Sequence, residues 1–155
     1  MKKTTSIIAS VLLVGLLISA LAVNVFAATG HDTFSLSVSN NAYTHILPAH
    51  MKSNYSDMMI YIGTGNNSRY YVRAVACSSP GGSGNSMPYI LNCTFCNNQI
   101  IDHCAVLKGT MYSIPNQVLY SAQYASFGIL SPGNPGTITG RWSEDTAEPY
   151  ATPIY

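Results

Sequence analysis

The feature that most constrains this chain is a β-strand period in its apolar residues. Thr33 to Ser39 alternates hydroxyl and apolar side chains, which is the pattern of a strand with one buried face. Loops rich in glycine, asparagine and proline separate it from further apolar or aromatic segments. The sequence shows no convincing helical period after residue 28. The segments predicted as strands are Thr33–Ser39, Met58–Ile62, Arg69–Cys77, Tyr89–Phe95, Ile100–Leu107, Val118–Leu130 and Thr137–Trp142.

Composition supports a packed all-β domain. Hydrophobic residues make up 47% of the chain and charged residues only 8%, whereas disordered chains combine low hydrophobicity with high net charge. Many short strands without helical segments are typical of sandwiches and barrels. We therefore expect a single small antiparallel β-sandwich or barrel over residues 28–142, followed by a loose C-terminal tail over residues 143–155.

The N-terminal segment has the pattern of a secretory signal peptide. Lys2 and Lys3 provide a positive start, and residues 7–23 contain no charge. Val25-Phe26-Ala27 then offers a cleavage site, so we expect an N-terminal signal helix within residues 1–27 that is removed after Ala27. The alternative is an uncleaved anchor, but the apolar run is just short of the roughly 20 residues that span a bilayer. Cleavage predicts a secreted, extracellular protein.

The charge pattern argues against nucleic acid as a partner. Without residues 1–27, five lysines and arginines stand against six aspartates and glutamates, which gives a net charge of −1 with neutral histidine. No basic stripe remains for the phosphate contacts that dominate nucleic-acid affinity. We expect an extracellular or cell-surface partner of unknown identity, and contact with a membrane only through an uncleaved signal segment.

The cysteines predict a disulfide framework. All four lie in the middle third of the chain, and an even count in a small exported domain is typical of disulfides. A hairpin whose loop is residues 97–100 would place Cys93 opposite Cys104. Directly opposed residues lie near the Cα separation of about 4.4–6.8 Å that a disulfide needs. We therefore predict the bridges Cys93–Cys104 and Cys77–Cys96, among three possible connectivities.

Two other uses of these cysteines are weaker. Cys93-x-x-Cys96 has the spacing of a zinc knuckle, but a zinc ribbon needs a second such pair, and Cys77 and Cys104 stand alone. The same pair is a poor candidate for redox catalysis, because reactive cysteines typically sit at a helix N-terminus and no helix is evident after Cys96. Free thiols remain a further alternative. We predict no metal site.

Asp102-His103-Cys104 resembles a catalytic trio only in sequence. Successive side chains of a strand point to opposite faces, so His103 should project away from both neighbours. A thiol or zinc hydrolase using Cys93 or Cys104 would need a histidine within hydrogen-bond reach of the sulfur, and nothing in the sequence places one there. The turn at residues 63–68 lacks the third glycine and the following helix of a dinucleotide site. We predict neither catalytic residues nor a cofactor.

The segment Gly140-Arg141-Trp142-Ser143-Glu144-Asp145-Thr146 closes the predicted domain. Gly140 and Trp142 share one face of a strand, and the glycine leaves space that the tryptophan or a cross-strand neighbour can fill. We expect Trp142, the only tryptophan, to anchor the core, with ligand stacking as the alternative. Ser143 to Thr146 should then turn the chain off the sheet.

This segment and Met51-Lys52-Ser53-Asn54-Tyr55-Ser56 carry a resemblance. The chain resembles small uncharacterised secreted proteins of Gram-positive bacteria, which have a signal peptide, a Lys-x-Asn-Tyr-Ser-like stretch and a closing Gly-x-Trp-Ser-x-Asp-Ser/Thr motif. It is more distantly similar to lactococcin-972-type bacteriocins in the Gly-x-Trp-Ser segment. It departs in having Glu144 where a proline is common and in its four-cysteine middle. The resemblance implies a secreted, non-enzymatic β-rich protein and transfers no catalytic residue.

These features favour a small secreted protein that is not an enzyme and acts by binding or as a bacteriocin-like effector. A second hypothesis is a cell-wall glycan or carbohydrate-binding module. Its exposed tyrosines would stack on sugar rings, although alternation places about half of any such set in the core. The candidate tyrosines are Tyr70, Tyr71, Tyr120 and Tyr124. A thiol or zinc hydrolase is the third and least favoured hypothesis.

Overall fold

Two β-sheets pack face to face over a shared core in the computed structural model. The structure describes residues 32–81, 90–97, 99–145 and 151–154. The predicted signal peptide, residues 1–27, lies outside the described residues. The all-β prediction is confirmed, and it takes the form of a sandwich, because the described strands of the two sheets do not close into a barrel.

The strands are short, and a single 3-10 turn interrupts them in the described part of the chain, at Val118–Tyr120. In chain order the strands are β1 (Asp32–Val38), β2 (Thr44–His45), β3 (His50–Met51), β4 (Met58–Thr64), β5 (Arg69–Cys77), β6 (Ile90–Asn92), β7 (Phe95–Cys96), β8 (Gln99–Ile100), β9 (Cys104–Leu107), β10 (Met111–Ile114), β11 (Tyr124–Leu130), β12 (Gly136–Ser143) and β13 (Thr152–Pro153).

The first sheet has the strand order β1-β12-β4-β10-β13, and the second has the order β2-β11-β5-β6. In the second sheet, β3 also pairs with β11 and β9 also pairs with β5. Neighbouring strands are antiparallel, except for the parallel pair β10 and β13. Strands β7 and β8 form a separate small hairpin. The non-local pairings bring the two ends of the domain together, since β1 lies beside β12.

The core is built from the inward faces of both sheets. Trp142 at the end of β12 is 1% exposed, and its ring meets Phe127 of β11 edge to face at 6.0 Å. Tyr70 of β5 is fully buried. Burial of each large apolar side chain contributes about 1.5–3 kcal/mol to folding. The prediction that Trp142 anchors the core is confirmed.

Gly140 allows a close crossing of strands in the first sheet. It lies opposite Phe34 of β1, and the register of β12 against β4 shifts between Thr139 and Gly140. A Cβ atom at Gly140 would lie 2.0 Å from the Tyr61 carbonyl oxygen and 2.7 Å from the Phe34 ring. The space left by this glycine is therefore occupied by a cross-strand neighbour, Phe34, together with the β4 backbone.

The predicted C-terminal tail contributes to the sandwich. Strand β13 pairs with β10, and Ile154 donates a backbone hydrogen bond to the Ser113 carbonyl at 3.1 Å. Ile154 also packs against the core. The expectation of a loose tail after residue 142 is therefore wrong for residues 143–145 and 151–154, which are held by hydrogen bonds and packing.

Candidate binding site

The two motif segments that carry the resemblance meet in space. Lys52 Nζ lies 2.9 Å from Asp145 Oδ1, and the side chains are 1% and 15% exposed. The same ammonium donates a hydrogen bond to the Glu144 carbonyl oxygen. A lysine is almost never buried without a partner, because desolvation of its charge is costly. The Lys52–Asp145 ion pair therefore joins the chain after β3 to the chain after β12.

Asp145 also holds the loop that follows Lys52. Its Oδ2 atom accepts hydrogen bonds from the Ser53 amide at 3.0 Å and from the Ser53 hydroxyl. The Ser56 hydroxyl donates to Asp145 Oδ1 at 3.4 Å. Within the loop, the Ser56 amide donates to Asn54 Oδ1 at 2.8 Å, which is an Asx turn. One carboxylate thus fixes both ends of the segment Ser53–Ser56.

Burial and pairing act in opposite directions on this ion pair. Burial alone would raise the pKa of Asp145, but hydrogen bonds from Ser53 and the Lys52 ammonium hold it below its usual value. Burial lowers the pKa of Lys52 even though Asp145 and Glu144 favour its charged form. For Asp145 the hydrogen bonds outweigh the effect of burial, so its charged form is favoured. For Lys52 the effect of burial outweighs that of its partners, so its charged form is disfavoured. Replacement of such a buried pair by apolar residues is often close to neutral, whereas removal of one partner is strongly destabilising.

The remaining motif residues shape the turn that carries Asp145. The Ser143 hydroxyl donates a hydrogen bond to the Asp145 carbonyl oxygen at 2.6 Å, and the Asp145 amide donates one to Ser143 Oγ at 3.3 Å. The predicted turn after Trp142 is therefore a local hydrogen-bonded ring at the end of β12. Gly140, Trp142, Ser143 and Asp145 all have structural roles in the described part of the chain.

The loop held by Asp145 carries Tyr55, which forms an exposed tyrosine pair with Tyr120 of the 3-10 turn. Their ring centroids lie 5.2 Å apart with an interplanar angle of 43°, and the residues are 70% and 74% exposed. Tyr120 ends the 3-10 turn, which is anchored by the buried side chain of Val118. The Asn116 amide group donates to the Ser56 carbonyl at 3.3 Å and links the two segments. Two fixed segments therefore display adjacent aromatic rings to solvent.

The predicted tyrosine candidates have different positions. Tyr70 is buried in the core, Tyr71 and Tyr124 are half-buried, and Tyr120 is exposed. Sequence reasoning did not select Tyr55 for stacking, although it lies in a polar loop of the Lys-x-Asn-Tyr-Ser stretch. That loop composition was the available signal for its exposure.

His50 forms a second polar contact between the sheets. Its Nε2 atom lies 3.0 Å from Asp32 of β1, and its Nδ1 atom lies 3.3 Å from Glu144. The ring packs against Trp142 with centroids 4.8 Å apart. The imidazole therefore lies between two carboxylates. It ties the start of β1 to the turn after β12, next to the Lys52–Asp145 pair.

The predicted disulfides are absent. The thiols of Cys93, Cys96 and Cys104 are free in the described part of the chain. The predicted register was wrong because Cys96 pairs with Gln99, which leaves a two-residue turn instead of a loop over residues 97–100. The residue after Cys96, Asn97, has a φ of 48°, a left-handed conformation that asparagine tolerates in tight turns.

The strand that follows the turn also has an unexpected partner. Cys104 lies opposite Val72 of β5 instead of opposite Cys93. The second predicted bridge, Cys77–Cys96, is absent as well, because the Cys96 thiol is free. Among the described residues, no group of three or more histidine, cysteine, aspartate or glutamate side chains could hold a metal ion.

The thiols are poorly suited to nucleophilic attack. Burial raises the pKa of Cys104 to about 11, and it raises that of Cys93 as well. The Cys93 sulfur donates to the Ser121 hydroxyl at 3.7 Å. In the part of the chain that is described, no histidine hydrogen-bonds to either sulfur. The arrangement lacks the adjacent base that activates a thiol.

This burial predicts the order in which the thiols react. We expect Cys96, which is half-buried, to be alkylated by iodoacetamide first in the native protein at pH 8. Cys104 should react far more slowly, because a pKa near 11 leaves about one thiolate in a thousand at that pH. Peptide mass mapping over time gives the order. Denatured protein should add alkyl groups at Cys93, Cys96 and Cys104 without reductant, and a bridge at any of them would contradict the structure.

Asp102 and His103 do interact, contrary to the sequence-based expectation. His103 Nδ1 lies 2.7 Å from Asp102 Oδ2, because β9 begins only at Cys104 and the strand alternation does not apply before it. Cys104 points into the core, away from this pair. The His103 ring stacks on Tyr71 at 4.2 Å. The three residues therefore form no catalytic trio, and the Asp102–His103 contact belongs to the outer surface.

Comparison with known proteins adds no family to these observations. The chain matches no family model, no curated protein and no solved structure. In the described residues, no helix has the length and apolar character to cross a membrane.

Proposed function

We propose that this chain is an exported, non-catalytic protein that acts by binding outside the cell through Tyr55 and Tyr120. Two adjacent tyrosine rings that are 70% and 74% exposed support the proposal. Large aromatic side chains are usually buried in the core, while exposed ones are enriched where a partner is contacted. The Lys52–Asp145 pair and Asn116 hold the rings in place before binding, which reduces the entropy lost when a ligand is bound.

Export and the effector role rest on the sequence. The charged start, the apolar run and the Val25-Phe26-Ala27 site support secretion with cleavage after Ala27. The resemblance in the two motif segments supports a bacteriocin-like extracellular effector. In the proposal the two motif segments act together. Asp145 of the closing motif binds Lys52 and Ser53 of the other segment and so holds Tyr55 beside Tyr120. The raised thiol pKa values weigh against the hydrolase hypothesis.

The second candidate is a cell-wall glycan-binding module. Flat aromatic faces stack on the apolar faces of sugar rings, and hydrogen-bonding groups beside them contact the hydroxyls. Here the polar side chains of Asn54 and Gln117 lie close in sequence to Tyr55 and Tyr120. The net charge of the mature chain is small, which suits a neutral sugar surface better than steering by charge. Of the two candidates, this one names a ligand class.

Sedimentation tests both candidates with the same variants. Mature protein is incubated at low salt with intact Gram-positive cells and, separately, with purified peptidoglycan. We expect Tyr55→Ala and Tyr120→Ala each to weaken retention about tenfold, because truncation of an anchoring aromatic residue typically costs more than 1 kcal/mol. The matched control is Leu107→Ala, which removes a hydrophobic side chain that is 51% exposed on β9. It should bind like the wild type.

The outcomes separate the hypotheses. Tyrosine-dependent retention on both cells and peptidoglycan supports the glycan module. Tyrosine-dependent retention on cells alone supports an effector with another surface partner. Retention that is equal for the wild type and both tyrosine variants would overturn the proposed site.

A further inference from the structure

A groove separates the edges of the two sheets on the side of β1. Its volume is about 430 Å³. One wall is the run Thr33–Leu36 of β1, and the other is the run Thr44–Pro48, which contains β2. Consecutive residues line each wall, so the groove follows the strand edges and contacts side chains from both strand faces. Trp142 and His50 close one end.

Both walls present strand edges without a ladder partner in the described structure. Among the described strands, β1 pairs only with β12, and β2 pairs only with β11. An edge strand presents backbone N–H and C=O groups that can pair with another chain. Strand β1 is seven residues long, and after Asp32 its exposed positions carry small hydroxyl side chains instead of the lysine or proline that commonly blocks such edges. The β1 edge is therefore open to an added strand.

The chemistry of the groove changes along its length. Phe34 and Ile46 are buried apolar residues of the walls. The pKa of His45 is lowered to about 4, mainly by burial and to a smaller extent by the positive charge of Arg73. This wall residue is therefore neutral. At the end marked by His50, the imidazole lies 3.0 Å from the carboxylate of Asp32 and 3.3 Å from that of Glu144, and these two acidic side chains remain 52% and 25% exposed. The groove is neutral along its walls and acidic at one end.

We propose that this groove binds an extended peptide as an added strand on β1, with a basic side chain next to Asp32 and Glu144. Backbone pairing would supply affinity, and alternate side chains would enter the apolar part of the groove. The observations favour a foreign peptide over a second copy of β1, because the sequence of β1 contains no basic residue to meet the two carboxylates. This site is separate from the tyrosine pair.

Trp142 provides a direct measurement, since it is the only tryptophan and lines the groove. The probe is the synthetic peptide acetyl-Thr-Val-Thr-Val-Lys-amide, titrated into mature protein while tryptophan emission is recorded. We expect a saturable change in emission. Replacement of the probe's lysine by alanine should weaken binding about two- to fivefold, the range for an exposed charge pair. Two probes with N-methyl groups at alternate residues should differ, because only one set of amides pairs with β1.

Protein variants locate the site. Asp32→Asn and Glu144→Gln should weaken binding of the lysine probe and leave the alanine probe unaffected. Ser35→Arg, inside the groove, should abolish binding, whereas Ser37→Arg on the same strand face but outside the lining should not. Unchanged melting temperatures and unchanged binding to peptidoglycan or cells establish that these variants are folded and that the tyrosine pair is intact.

Three results would overturn the proposal. The first is the absence of a saturable response to the lysine probe in folded protein. The second is equal binding of both N-methylated probes, which would exclude strand pairing. The third is self-association of the wild type, detected by analytical ultracentrifugation and abolished by Ser35→Arg, which would assign the groove to a second copy of the chain.

Discussion

Replacement of Asp145 by alanine is expected to lower the free energy of unfolding by about 3–5 kcal/mol, because the buried Lys52 ammonium loses its counter-charge. The change also removes the acceptor of the Ser53 amide and hydroxyl. Urea unfolding at pH 7, followed by far-UV circular dichroism, measures the loss. The control is Asp102→Ala, which removes a carboxylate whose side chain is 70% exposed. Its cost should stay below about 1 kcal/mol.

A second substitution tests whether the cost comes from the unpaired charge. In the Asp145→Ala background, Lys52→Met removes the orphaned ammonium and keeps an apolar side chain of similar length. We expect it to restore a large part of the lost stability, because replacement of a buried pair by apolar residues is often close to neutral. Equal stability of the wild type and Asp145→Ala, or further destabilisation by Lys52→Met, would contradict this account of the ion pair.

The pH dependence follows from the same contacts. The pKa of Asp145 is lower in the folded protein than in the unfolded chain, so its carboxylate stabilises the fold above about pH 4. This contribution is lost as the pH falls through the folded-state pKa. For Lys52, burial lowers the pKa, so stability rises with pH between the folded-state pKa and the usual lysine value. Asp145→Asn should therefore show a smaller acid loss than the wild type.

Substitution of Gly140 by alanine is the other change expected to have a large effect. The added methyl group would lie 2.0 Å from the Tyr61 carbonyl oxygen, and a backbone atom inside a sheet cannot move away as a side chain can. We expect a loss of about 3 kcal/mol, at the upper end of the range for overpacked sites. The measurement is the midpoint of thermal or urea unfolding.

Gly63→Ala is the matched control for this substitution. A Cβ atom at Gly63 would meet the Tyr61 ring edge at 3.0 Å, and that side chain is only half-buried and can shift. Its cost should be clearly smaller than that of Gly140→Ala. If Gly140→Ala were as stable as the wild type, the close crossing of β12, β4 and Phe34 would be refuted.

Much of the fold followed from the sequence where one face of a strand is buried. Strand β5 has the predicted bounds, Arg69–Cys77, and β1 was predicted within one residue at each end. The segment Val118–Leu130 proved to be a 3-10 turn followed by β11. Strands β2, β3, β10 and β13 were missed. Three of them have only two residues, too few to show a period, and β10 has four.

The site depended on contacts that periodicity does not carry. The two partners of the Lys52–Asp145 pair lie 93 residues apart in sequence, and a lysine in a polar segment normally indicates an exposed side chain. The strand register that places the cysteines depends on one residue, Asn97, whose left-handed conformation shortens the hairpin turn. A change of turn length alters every cross-strand pair in a hairpin, so the predicted disulfides failed together.

The most direct test of the account is the contact between the rings of Tyr55 and Tyr120, measured by nuclear Overhauser effects between their aromatic protons. The wild type should show this contact, because the ring centroids are 5.2 Å apart. In Asp145→Asn the contact should weaken, while the contact between Phe127 and Trp142 persists as the signature of an intact core. A wild type without the Tyr55–Tyr120 contact, or an Asp145→Asn variant that keeps it unchanged, would contradict the claim that Asp145 holds the loop that presents the tyrosine pair.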